Sequence, residues 1–120
     1  MMWLAIAVAG ALGAVARYLL DAAVLARTGR RWPWGTFVVN VTGSLLAGAM
    51  TGLVTSAVVP AELHTVVAGG FLGAYTTFST AMYESVHLLV DRHFVRGILY
   101  VLTPLVASVG AAWLGWALAH

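Results

Sequence analysis

GAYTTFSTAM, residues 73–82, interrupts an otherwise apolar segment that runs from about Leu63 to Val90. Four hydroxyls, Thr76, Thr77, Ser79 and Thr80, stand together behind a glycine. This is poor helix material, because Ser and Thr compete for the backbone and Gly adds chain entropy. At mid-membrane depth such an interruption is tolerated where the freed backbone groups are buried in protein or line a polar cavity. The stretch therefore predicts a helix broken inside a membrane, with polar work at the break. Released carbonyls suit a cation, whereas hydroxyls, N–H groups and the positive edge of a ring such as Phe78 suit an anion. Glu84, about two turns further on, is placed to cap a polar network.

The rest of the chain supports the membrane setting. Of 120 residues, 62% are hydrophobic and 8% charged, and mean hydropathy is +0.95. These values lie outside the range of soluble domains. Cysteine is absent, which removes disulfide frameworks and thiolate metal or redox centres. The N-terminal MMWLAIAVAGALGAVARYLL has no Lys or Arg ahead of its apolar run. A first transmembrane helix is expected there rather than a cleaved leader.

A bilayer core needs about 20 apolar helical residues, and four segments qualify: about 2–25, 34–58, 62–90 and 95–118. No linker divides them, so 1–120 reads as a single all-α, four-helix transmembrane domain. Pro33 and Pro60 stand at segment starts, where a missing N–H costs nothing. Trp3, Trp32, Trp34, Trp113 and Trp116 fall near segment ends, as an interfacial aromatic belt requires. Small residues recur at four-residue spacing in Ser44, Gly48 and Gly52, in Gly69 and Gly73, and in Ala111 and Gly115. Such spacing lets helix backbones approach closely in lipid. Four short helices enclose little by themselves, so a polar pathway calls for a second subunit.

Arg27, Arg30 and Arg31 flank the first loop, and Arg92 and Arg96 the third. The termini and the second loop carry no Lys or Arg. The positive-inside rule then places loops one and three in the cytoplasm and both termini outside.

Among the polar residues in this apolar setting, Arg17 lies well inside the first helix, where an unmatched charge costs about 2.5–3.5 kcal/mol. Two readings stand side by side: an ion pair with Asp21 at i+4, or attraction of an anion. Asn40 likewise either lines a path, with Thr42 and Ser44 nearby, or bonds to a neighbouring helix. Tyr100, Thr103 and Ser108 scatter polarity along the last helix, interrupted by Pro104. His64, His87, His93 and His120 show no ligand spacing, and there is no nucleophile elbow, phosphate loop or basic-aromatic patch for nucleic acid. An enzyme is not expected.

GALGAVARY (10–18), WGTFVVNVTGSLLAG (34–48) and GGFLGAYTTFSTAMYE (69–84) resemble the small bacterial fluoride channels of the Fluc, or CrcB, family, over essentially the whole chain. The resemblance implies two antiparallel four-helix subunits in the bacterial cell membrane, enclosing two narrow pores through which fluoride leaves the cytoplasm and toxicity is relieved. It implies a fluoride pathway of Asn40, Phe78, Ser79 and Thr80, a hydroxyl track of Tyr100 and Ser108, and a role for Arg17 as the arginine of the family's first motif. It also implies a structural sodium ion at the dimer interface, held by the backbone carbonyls of Gly73 and Thr76.

Two departures from the family pattern stand out. TTFSTA replaces the usual TTFSTF, so Ala81 occupies the position of a second pore phenylalanine, and Pro104 stands where another hydroxyl is usual. The implied partners are fluoride, membrane lipid, and either a second copy or a homologous subunit. A dual-topology dimer of identical chains sits poorly with the one-sided arginines, which favour a heterodimer. The rival readings are a small four-helix exporter of cationic drugs, which would need an embedded carboxylate in the first helix where Arg17 stands, and a non-conducting assembly subunit.

Overall fold

A computed structural model describes residues 1–29, 32–77, 82–83, 86–87, 90–91 and 94–120. Helix α1 spans Met2–Thr28 and α2 spans Trp34–Thr55. Ala61–His64 (α3) passes into a π-helix over Thr65–Leu72 and then into α4, Gly73–Tyr75. The last helix, α5, runs Phe94–Ala119. The described residues contain no strand. Helices α1, α2 and α5 are long and apolar enough to cross a membrane. The third expected span, 62–90, is described only in part, as pieces ending at Tyr75 and as helical residues among 82–90.

The helix limits have local causes. α2 stops at Thr55 rather than near 58, because Ala57 adopts a left-handed φ of 58°. The N–H of Val58 donates to the Leu53 carbonyl (2.9 Å) and that of Ala57 to the Val54 carbonyl (3.0 Å). These two bonds form a Schellman motif that satisfies orphan carbonyls, here with alanine in the place glycine usually takes. At the other end, Pro33 has φ −76° and ψ 67°, and the Trp34 N–H donates to the Trp32 carbonyl at 2.7 Å. That is an inverse γ-turn, which fixes how the first loop enters α2.

Helices meet backbone to backbone. A Cβ on Gly48 would overlap the Ala112 carbonyl, and one on Gly115 the Leu45 carbonyl. Gly52 faces Trp116 and Ala119. Rising numbers on α2 thus meet rising numbers on α5, so the two helices run parallel. α1 pairs in parallel with the π-helical stretch: Gly70 packs on Ile6 and Ala9, and Gly13 on the Phe71 carbonyl. This arrangement puts loops one and three at one end and both termini at the other.

The core is small and the outside is greasy. Among the described residues Val39, Leu72, Tyr75 and Tyr100 are the buried hydrophobics, while Leu4, Val8, Leu12, Val15 and Leu19 of α1 are all more than half exposed. In water this surface would be prohibitive at about 25 cal/mol per Å²; in lipid it is the contact surface, and close packing of small residues takes over the cohesion.

Of the small-residue pairs expected from spacing, Gly48, Gly52 and Gly115 pack closely, but among the described residues nothing lies within 4 Å of a Cβ on Gly69. Its neighbour Gly70 makes the contact with α1 instead. A π-helix has more residues per turn than an α-helix, so faces read at a period of 3.6 are displaced across Thr65–Leu72.

Candidate ion pathway

NVTG, residues 40–43 of α2, is the clamp around which the site is built. Asn40 Nδ2 donates to the Thr77 carbonyl at 2.8 Å, and the Thr77 N–H donates to Asn40 Oδ1 at 2.8 Å. This reciprocal pair fixes the amide orientation, because only the oxygen accepts from a backbone N–H. Two residues on, Thr42 Oγ1 donates to the Val38 carbonyl at 2.7 Å. With its hydrogen committed there, Thr42 receives the Tyr75 hydroxyl, 2.9 Å away. Gly43 lies against the Tyr75 ring and the Thr76 methyl. Residues 75–77 are therefore held by three successive contacts to one turn of α2. Tyr75, given no role by the sequence, is buried and stacks on Phe71 at 5.9 Å.

The clamp alters the backbone. In a continuing helix the Thr77 N–H would go to the Gly73 carbonyl; here it goes to Asn40. Thr76 is extended, with φ −76° and ψ 156°, which turns its own carbonyl out of the helical direction. Gly73 is exposed, and its carbonyl has lost that helical donor. Uncharged carbonyl oxygen is what a hard monovalent cation accepts as a ligand, so the residues present fit the sodium ion that the resemblance implies.

Next to the clamp lies a cavity of about 460 Å³. Its polar wall is Asn40, Ser44, Thr76, Thr77, Tyr100 and Ser108, and its apolar wall Met82, Val101, Pro104 and Leu105. Asn40 has two N–H donors; one is held by Thr77, which leaves the other for an acceptor in the cavity. The Thr76 hydroxyl donates to the Leu72 carbonyl at 3.0 Å, so it is committed to its own helix. Pro104 is buried inside α5 and has no N–H to give the Tyr100 carbonyl, so the ladder skips a rung beside the cavity. Asn40 and Tyr100 each lie six residues past the starts of their helices, Trp34 and Phe94, about 9 Å in from the loop-one and loop-three end.

The structure thus gathers Asn40, Tyr100 and Ser108 around one space. It puts Arg17 elsewhere, on α1, half-buried and without the expected ion pair to Asp21; among the described residues the ion pair is His87 Nε2 with Asp91 Oδ2 at 3.2 Å. The Asp21 carboxylate instead packs on Gly35 in the first turn of α2. Negative charge is favoured at a helix N-terminus, and a basic residue four positions before an acidic one is the weaker order for a helical pair. Phe78, Ser79, Thr80, Ala81 and Glu84 lie outside the described residues. Tyr75 is the site residue that sequence reasoning missed; a tyrosine beside a run of hydroxyls was the available signal.

Comparison with known proteins is unambiguous about kinship. Residues 4–116 match the family model described as CrcB-like protein, Camphor Resistance (CrcB). A "Fluoride-specific ion channel FluC 1" of Symbiobacterium thermophilum is 48% identical over 122 residues, covering 98% of this chain and 97% of its own length. The "Fluoride-specific ion channel FluC" of Geobacter sulfurreducens is 45% identical, with 93% of this chain and 91% of its own covered. A "Fluoride-specific ion channel FluC 1" of Leifsonia xyli subsp. xyli is 43% identical, covering 93% and 82%.

Proposed function

Because the chain belongs to the CrcB family, we propose that it is a fluoride-specific channel subunit, a multi-pass protein of the bacterial cell membrane that lets fluoride out of the cytoplasm and so relieves its toxicity. The observation that carries this reading is the cavity walled by Asn40, Tyr100 and Ser108. Fluoride is small and strongly hydrated, so a path must offer donors in place of water. The second N–H of Asn40 and the hydroxyls of Ser44 and Ser108 are neutral donors of that kind, and the Tyr100 ring closes the wall beside them. The apolar wall of Met82, Val101 and Leu105 keeps the route narrow and poor in substitutes for the hydration shell of a larger anion. Phe78, Ser79 and Thr80, which follow Thr77 in the sequence, join the pathway as the resemblance implies, and Arg17 attracts the anion from α1. The exporter reading gives way to the family.

The working unit is an antiparallel dimer with the third helix broken after Tyr75. The Asn40–Thr77 exchange supports the break, since it takes the N–H that would have continued the helix. A structural sodium ion at the dimer interface, on the carbonyls of Gly73 and Thr76, occupies the place where that helical bond is lost. The partner is a homologous chain rather than a second copy. Five arginines at loops one and three against none at the other end fix one insertion orientation. A partner of opposite bias supplies the inverted orientation and the phenylalanine missing at Ala81.

The test is fluoride efflux from liposomes holding the protein alone and with a homologue of opposite arginine bias, chloride efflux being the control. Fluoride-selective efflux only from the pair is expected. Selective efflux from the chain alone sinks the heterodimer, and silence from both folded preparations sinks the channel.

A further inference from the structure

Tyr100 is 1% exposed and forms part of the cavity wall, yet the group that backs it comes from the first loop. The Trp32 ring stands edge-on to Tyr100, with centroids 5.4 Å apart and planes at 84°. Trp32 is itself held on two sides. Its carbonyl closes the γ-turn at Pro33, whose ring fixes φ, and its indole meets Trp34 at 6.4 Å, which in turn meets Phe37 edge-on at 5.7 Å. A loop residue is thereby tied to the first turn of α2 and aimed across at α5.

From this geometry we infer that Trp32 is a positioning residue for conduction, holding Tyr100 in the cavity wall at the loop-one end. The inference rests on the fluoride reading for what passes, but not for the contact itself. Edge-to-face aromatic pairs have a preferred geometry, so the indole limits how far the Tyr100 ring can tilt or withdraw. Losing it removes one restraint on the ring, and with it one control on the width of the passage. A phenylalanine at 32 keeps an edge or face against Tyr100; an alanine keeps neither.

The experiment compares Trp32→Ala, Trp32→Phe, Tyr100→Phe and the double variant Trp32→Ala with Tyr100→Phe, in the assembly that conducts as wild type. Trp32→Ala is expected to slow fluoride efflux about tenfold and to raise the chloride-to-fluoride ratio, and Trp32→Phe to stay within about twofold of wild type. Since Trp32 acts through Tyr100, the double variant should match Tyr100→Phe alone. Multiplicative losses in the double variant, or wild-type efflux and selectivity in Trp32→Ala, overturn the role. The contact is read separately by ¹⁹F NMR of protein carrying 3-fluorotyrosine, with the Tyr100 signal assigned by its loss in Tyr100→Phe. Trp32→Ala should shift that signal and Trp113→Phe, on the exposed side of α5, should not. An unmoved signal overturns the inference even if fluoride fails to pass at all, whereas a silent wild-type channel with a shifted signal counts against the fluoride reading alone.

Discussion

Substituting Asn40→Asp changes one atom in kind, and the structure says what should follow. The Nδ2 group that donates to the Thr77 carbonyl at 2.8 Å becomes a carboxylate oxygen, so one of the two reciprocal bonds turns into an acceptor facing an acceptor. Losing a hydrogen bond and leaving a buried partner unsatisfied costs about 1–3 kcal/mol. The larger effect falls on the ion. A unit charge about 4 Å from fluoride, at an effective dielectric of about 20, repels it by about 4 kcal/mol. At 1.4 kcal/mol per factor of ten, that is a reduction on the order of a thousandfold in occupancy next to Asn40. Fluoride-electrode recordings of efflux from liposomes measure it directly. Asn40→Ala breaks the same clamp without adding charge, so it should lose markedly less flux than Asn40→Asp at comparable folded yield. Equal losses in the two variants would refute the electrostatic argument, and undiminished flux in Asn40→Asp would remove Asn40 from the path.

Other consequences are more local. Tyr75→Phe deletes the hydroxyl that reaches Thr42 and should lower stability in detergent melts by about 1 kcal/mol, while leaving anion selectivity unchanged. Ala57→Gly relieves the left-handed φ and should raise the melting temperature, with a gain of about 1 kcal/mol before the chain-entropy cost of glycine is subtracted. Gly115→Val forces a side chain into the Leu45 and Ala49 backbone, and folded yield should collapse, which size-exclusion profiles would report; Gly110→Ala, with nothing among the described residues within 4 Å of the new Cβ, should be silent.

Much of this architecture was legible in the sequence because it is written in solvent preference. Apolar length predicts α1, α2 and α5 to within a few residues, and Pro33 and Pro60 mark where helices begin. What escaped depends on partners distant in the chain or on unusual backbone. The early end of α2 hides behind an alanine in a glycine's conformation. The π-helix at Thr65–Leu72 leaves no periodic mark and moved the packing glycine from 69 to 70. Pairing of Asp21 with Arg17 along α1 is one of the two readings the sequence offers, yet Asp21 sits at the N-terminus of the next helix. At the site, Asn40, Tyr100 and Ser108 were recognisable as polar residues in an apolar setting. Their convergence on one cavity, and the grip of Asn40, Thr42 and Gly43 on residues 75–77, required the fold.

The parallel pairing of α2 with α5 also sets an order of assembly. Chains emerge from the N-terminus and begin to organise as they do. α1 can find Gly70 and Phe71 as soon as the third segment is inserted, but the glycine face of α2 must wait in lipid until the final helix arrives. Two of the cavity's walls, those with Asn40 on one side and Tyr100 and Ser108 on the other, exist together only at that last step. A prematurely ended chain therefore contains half a passage and no enclosed route, so interrupted synthesis leaves the membrane sealed.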